Sequence, residues 1–266
     1  MYDYDRETTI DRTGEGQWRG HLSAAWNIGD NPNGGYLISF ALAAIEKELN
    51  QPHPVTVTTH YLRPGVPDTH CDINVEVVRT GRSFSTARAT LTQRGKPRLS
   101  VLATFGDLTQ SMGSDKLIHI APPEIPGPES CVERDGAIQQ IHLPITQRVD
   151  ARLHPEMADP LTYKNPDMLG WIRFQDGRAP DPRSLLLFCD AFPPSVLGAV
   201  DAVGWVPTVE LTVHVLRPPE PGWIQATLNT DSLVMGRMIE TGTLWDQQGN
   251  LVAQSRQIGL VVPRDE

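Results

Sequence analysis

Long hydrophobic runs are missing from this 266-residue chain. No stretch approaches the roughly 20 consecutive apolar residues that a helix needs to cross a bilayer. The opening segment, MYDYDRETTIDRTGEG, has neither the basic start nor the apolar stretch of a secretory signal, so the expected compartment is the cytoplasm. Cysteine is scarce. Cys71, Cys131 and Cys189 are an odd number without close spacing, which fits neither a disulfide framework nor a zinc site. Each reads as a small buried apolar group. Basic residues are in deficit, 23 Lys and Arg against 32 Asp and Glu, for a net charge of −9. Phosphate backbones are bound by clustered Lys and Arg, and no such cluster is present, so nucleic acid is excluded as a partner. An anionic ligand would have to be met by a few local arginines rather than by the field of the whole chain. The eight histidines lack the spacing of a metal site. There is also no Gly-x-Ser-x-Gly elbow, which argues against a serine-triad hydrolase.

What is present is enough apolar material for a core, 39% of residues, and an internal repeat. Leu62-Arg63-Pro64 recurs as Leu216-Arg217-Pro218, an offset of 154. Gly95 recurs as Gly249 at the same offset, and Gly81-Arg82 recurs as Gly236-Arg237 at 155. Landmarks that keep one long spacing indicate duplication of a whole unit, not a short-period solenoid. The length suits two units of about 100–150 residues each.

Each unit opens on an apolar helix. In the first, Tyr36, Leu37, Phe40, Ala41, Ala44 and Ile45 recur at helical spacing, which predicts a helix from Gly35 to Leu49 after a cap at Asn33. In the second, an apolar run predicts a helix from about Ser184 to Val200, kinked or interrupted at Pro193 and Pro194. Strands follow in both: Val55 to Leu62 and Val209 to Leu216, Cys71 to Arg79 and Trp223 to Thr230. Then come Ser83 to Gln93 with Arg98 to Phe105, matched by Met238 to Asp246 with Leu251 to Val262. One helix covered by an antiparallel meander satisfies the layer rule, so the expected class is α+β, with each antiparallel sheet wrapped round a long central helix. The expected organisation is a unit over 1–107, a Pro-rich linker over 108–140 and a second unit over 141–266. The stretch from His154 to Pro166 is expected to be a surface loop or a lid.

The segments Asn31-Pro32-Asn33-Gly34-Gly35-Tyr36, His53-Pro54, Tyr61-Leu62-Arg63-Pro64 and Arg79-Thr80-Gly81-Arg82-Ser83 come in that order and spacing. Together they resemble the thioesterase-like superfamily related to type II acyl-CoA thioesterases. The resemblance covers nearly the whole chain outside the linker and implies a double hotdog fold. It also implies hydrolysis of an acyl-CoA by a water that an Asp, a Thr and a Gln of the second repeat position. The matching residues are Asp190, Thr208 and Gln257. At the 154 offset their counterparts in the first unit are Tyr36, Pro54 and Ala103, so the first unit lacks the set. The chemistry needs those types: a carboxylate to take a proton from water, and a hydroxyl and an amide to hold that water in line. Backbone N–H groups at Gly34 and Gly35 are candidate oxyanion donors, with Gly34, Gly35 and Tyr36 as candidate substrate-binding residues. No cofactor or metal is required. The acyl-CoA is the expected partner, and association into dimers or larger assemblies fits the exposed sheet edges of such folds.

Each signal has a plainer reading. Asp190 could sit on the one wet edge of its helix, Thr208 could be an ordinary strand residue, Gln257 could mark a strand leaving the core, and Tyr36 could pack in the core. Two other functions compete. One is an acyl-CoA or acyl-carrier-protein binding module without turnover. The other is an enoyl-CoA hydratase, suggested by Asp30-Asn31-Pro32 but lacking the histidine that a hydratase pair needs.

Overall fold

The computed structural model describes residues 1–111, 113–114, 116–136, 141–159, 162–200 and 203–263. Thirteen strands form one sheet. They are β1 (Ile10–Gly14), β2 (Gln17–His21), β3 (His53–Tyr61), β4 (His70–Arg79), β5 (Ser85–Gln93), β6 (Lys96–Gly106), β7 (Val132–Glu133), β8 (Val149–Leu153), β9 (Asp167–Phe174), β10 (Thr208–Val215), β11 (Ile224–Val234), β12 (Arg237–Asp246) and β13 (Leu251–Leu260). Their order across the sheet is β1-β2-β4-β5-β6-β3-β10-β13-β12-β11-β9-β8-β7, and neighbours run antiparallel. The middle seam is β3 against β10. There Thr58 faces Thr212 and their hydroxyls share a hydrogen bond of 2.9 Å. These two residues are 154 apart, the offset of the sequence landmarks. The strand order therefore runs outward from that seam in the same sense on both sides.

Local chemistry explains the elements. The main helix, α2 (Gly34–Glu48), follows a short α1 (Asp3–Glu7). It begins because the Asn33 side chain accepts the Tyr36 N–H at 2.9 Å, supplying one of the donors that a helix start leaves open. Its residues from Gly35 to Ile45 are all buried, and charged side chains appear only at Glu46, Lys47 and Glu48. Strand β5 alternates buried with more exposed positions, as a strand covered on one face must. The β5–β6 and β12–β13 connections turn at Gly95 and Gly249, with φ of 69° and 77°. That left-handed conformation favours glycine, which has no Cβ. One continuous core runs across both halves, from Phe40, Leu42 and Phe105 to Phe174, Leu186 and Phe188. Burying each such side chain stabilises the fold by about 1.5–3 kcal/mol.

The expected length of the second helix needs correction. The helix predicted over 184–200 is helical only as α3 (Ser184–Cys189). It stops at Asp190, and the chain resumes as a 3-10 turn at Ser195–Ala199 after Pro193 and Pro194. Proline lacks an N–H and collides with the preceding turn, so the apolar run cannot continue as one helix. The first half thus holds a buried helix of 15 residues, and the second half one of 6. Within the stretch expected as a Pro-rich linker, the described residues bond to the second half. Its proline-rich carbonyls accept side-chain donors from the second half: Trp245 Nε1 bonds Ile120 O at 2.7 Å, Gln225 Nε2 bonds Pro123 O at 2.7 Å, and Trp171 Nε1 bonds Pro126 O at 2.9 Å. It then adds β7 to the sheet edge. The expected loop from His154 to Pro166 holds a 3-10 turn at Pro155–Met157, and its residues 160–161 lie outside the described residues. Among the described residues no helix is long and apolar enough to cross a membrane.

Candidate active site

Asp190 closes α3, where its N–H donates to Leu187 O at 3.1 Å. The proline break just after it leaves the carboxylate facing the start of α2. There Oδ2 accepts the Gly35 N–H at 2.9 Å and Asn33 Nδ2 at 2.8 Å. Asn33 Nδ2 also bonds the Asp190 carbonyl at 2.8 Å, so one asparagine caps its own helix and ties down the second. Burial and the nearby Glu240 charge push the Asp190 carboxyl up to about 6. The bonds from Gly35, Gly34 and Asn33 favour the ionised form and limit the rise. A carboxylate tuned this way can take a proton near neutral pH. The buried guanidinium of Arg134 lies near the same group and donates to the carbonyl of Ala191. Burial brings its pKa down to about 10, against the Asp190 charge.

The sheet supplies the second cluster. Gln257 of β13 faces Leu211 of β10 on one side and Glu240 of β12 on the other, and Glu240 faces Thr230 of β11. Directly opposed residues share a face of the sheet, so these side chains form a row. Thr208 lies three residues from Leu211 and by strict alternation would point to the opposite face. A register shift between Thr208 and Glu210 removes that alternation. Thr208 Oγ1 then donates to Gln257 Oε1 at 3.0 Å. Bulges commonly re-aim a side chain in this way. Gln257 Nε2 donates in turn to Glu240. The other Glu240 oxygen accepts the Ser195 N–H at 2.8 Å and the Ser195 hydroxyl at 2.6 Å. The Ser195 hydroxyl also shares a 2.8 Å hydrogen bond with Thr230. Glu240 is only 2% exposed, and burial raises its pKa against the bonds from Ser195 and Gln257.

The structure therefore joins Thr208 to Gln257 and sets the Asp190 carboxylate against the start of α2, with Glu240 close enough to perturb it. Gly34, Gly35 and Tyr36, the candidate substrate-binding residues, each make close contacts within the protein. A Cβ on Gly35 would lie 2.6 Å from Leu187 Cα, so this glycine lets α2 and α3 cross backbone to backbone. A Cβ on Gly34 would lie 2.7 Å from the Tyr61 hydroxyl. Both close approaches are to protein atoms, and the Gly35 N–H is engaged by Asp190, so it does not stand open as an oxyanion donor. Tyr36 is a core residue. It stacks on Trp26 with centroids 5.0 Å apart, and its hydroxyl accepts from Ser23 N and donates to Glu7 O.

Glu240 escaped the sequence reading. Its signal was a carboxylate at the parity of Met238 and Leu244, both of which are buried. The three thiols are buried, and burial raises each of them, Cys71 and Cys189 to about 12, so none is a ready nucleophile. No cluster of metal-ligating side chains occurs among the described residues. A cavity of about 310 Å³, lined in part by Leu42, Glu46, His53 and Arg183, lies toward the C-terminal end of α2, away from Asp190.

Known proteins resemble this chain in family and fold. A family described as the acyl-CoA thioesterase C-terminal domain matches residues 128–261, and the corresponding N-terminal domain matches residues 22–106. The structure resembles that of a thioesterase II candidate from Thermobifida fusca, with a TM-score of 0.88, 30% identity and 98% of each chain covered. It also resembles a conserved protein of unknown function with a hot dog fold from Alicyclobacillus acidocaldarius, with a TM-score of 0.87, 22% identity and all of each chain covered. An uncharacterized protein of Mycobacterium tuberculosis is 26% identical over 272 residues, spanning 92% of this chain and 90% of that one. The chain belongs to the thioesterase-like superfamily related to type II acyl-CoA thioesterases, with the hotdog fold.

Proposed function

We propose that the protein hydrolyses an acyl-CoA to the free acid and CoA, using water activated by Asp190 and oriented by Thr208 and Gln257. The observation that carries this reading is a carboxyl held near pH 6 at the crossing of two helices, beside a hydrogen-bonded Thr208–Gln257–Glu240 row. Water oxygen attacks the thioester carbonyl carbon while one water proton passes to the Asp190 carboxylate. The carbonyl π pair moves to oxygen. Collapse of the tetrahedral intermediate breaks the C–S bond, and the departing thiolate takes the proton back from Asp190. No redox partner is needed. Glu240 holds the amide of Gln257 in one orientation, with Oε1 toward Thr208. Under this reading the units over 1–107 and 141–266 are tandem copies, and only the second kept the catalytic set.

The test is free-thiol release from acyl-CoAs of short to long chain, with the wild type beside Asp190→Asn. Turnover that peaks at one chain length and collapses in the variant supports the proposal. A folded wild type that binds acyl-CoA without releasing thiol would replace it with a binding module.

A further inference from the structure

The reaction just described leaves one task unassigned: the carbonyl oxygen gains charge during attack, and a donor must meet it. The donors at the start of α2 are already engaged. The Gly35 N–H is bound to Asp190, the Tyr36 N–H to the Asn33 side chain, and the Leu37 N–H to the Asn33 carbonyl at 3.2 Å. The Thr208 hydroxyl is bound to Gln257.

Tyr61 differs. It ends β3 two residues after Thr59 and four after Val57, both buried, and so shares their face. Its ring edge packs over Gly34: a Cβ there would lie 2.7 Å from the hydroxyl oxygen and 2.8 Å from two ring carbons. That places the hydroxyl at the first residue of α2, next to the glycine that holds Asp190. The oxygen is buried and has no hydrogen-bond partner among the described residues. Buried tyrosine hydroxyls ordinarily find one, and leaving a buried donor unsatisfied costs about 1–3 kcal/mol. Burial, then the charges of Asp190 and Glu210, raise its pKa well above the ordinary value, so it stays protonated and can donate.

We propose that the Tyr61 hydroxyl is a catalytic hydrogen-bond donor to the carbonyl oxygen of the bound thioester. This rests on the thioesterase reading of the same site. The absence of a protein partner then has a reason, because the partner arrives with the substrate. Gly34 has a reason as well: a side chain there would displace the tyrosine from the helix start.

The proposal makes stability and activity move apart in Tyr61→Phe, which removes one oxygen and keeps the ring. The melting temperature should equal or exceed that of the wild type, because no bond in the free protein is lost. Thiol release should fall about 10²-fold in kcat with KM little changed, the size expected for one oxyanion donor. A second measurement does not depend on turnover. Calorimetry would compare a ketone analogue, in which CH2 replaces the thioester sulfur, with an S-alkyl-CoA that lacks the carbonyl. The wild type should prefer the ketone about 10-fold, and Tyr61→Phe should lose that preference. Unchanged kcat with unchanged ketone preference overturns the proposal. So does a clear drop in melting temperature, which would mean that the hydroxyl serves the fold. A wild type that neither releases thiol nor binds either analogue overturns the thioesterase reading, and this proposal with it.

Discussion

Replacing Asp190 with Asn should stabilise the protein and stop its chemistry at once. The carboxyl lies where burial and Glu240 oppose its charge, moving it from an ordinary 3.8 to about 6. Holding it ionised at neutral pH then costs the folded state about 3 kcal/mol. The pH window follows. Below 3.8 the group is protonated in both states and carries no penalty. Between 3.8 and 6 the unfolded chain ionises first and stability declines. Above 6 the full penalty persists. Asparagine keeps an oxygen that can accept from Gly35 N and Asn33 Nδ2 and removes the charge. At roughly 2–4 °C per kcal/mol for a chain of this size, the variant should melt up to about 6–12 °C higher at pH 8, with the difference closing towards pH 4. Thermal unfolding of both proteins between pH 4 and 8 measures this. A variant less stable than the wild type at pH 8 would refute the argument, because the ionised carboxylate would then be a net stabiliser. Under the proposed function the same carboxyl would set the activity profile. Thiol release by the wild type should rise with pH through a midpoint of about 6, and a midpoint near 4 would show that Asp190 is not held as described.

Glu240→Gln should keep the fold but turn the Gln257 amide over, because an amide at 240 would offer an N–H where a carboxylate oxygen accepted one. The expected loss is about 10-fold in kcat, and wild-type kcat would remove Glu240 from the positioning network. Gly35→Ala should destabilise by about 1–3 kcal/mol, since its Cβ meets the backbone of Leu187 and α3 must move away; urea unfolding reads this directly. Arg148→Ala should destabilise at neutral pH by about 1–3 kcal/mol, because Glu7 accepts two bonds from that guanidinium, at 2.9 and 3.1 Å. Burial alone would raise Glu7, but the bonds from Arg148, Arg6 and Trp26 outweigh it and hold its pKa below the ordinary 4.5. The stability that Glu7 contributes is therefore present above that value and lost as the pH falls, so wild type and variant should converge in acid unfolding.

The features legible in the sequence are those decided by neighbours a few residues away. Asn33 before an apolar run announces α2, because a cap and a helical apolar pattern are local. Gly95 and Gly249 announce their hairpins, because the turn conformation belongs to the residue itself. The 154 offset reappears as the Thr58–Thr212 seam. The types Asp190, Thr208 and Gln257 could be named, but not their partners.

Tertiary structure alone decided those partners. Asp190 meets Gly35 across 155 residues. Thr208 reaches Gln257 only through a register shift that alternation does not foresee. Glu240 becomes the neighbour of Gln257 because β12 pairs with β13 in one register, and a slip of one residue would turn it to the other face. The apolar run after Ser184 reads as a helix interrupted at Pro193 and Pro194, but that the break brings Ser195 to Glu240 is decided by the fold. Propensity and capping are short-range and can be read along the chain. Strand register and helix crossing are settled by packing over the whole core, and at this site they determine which polar groups meet.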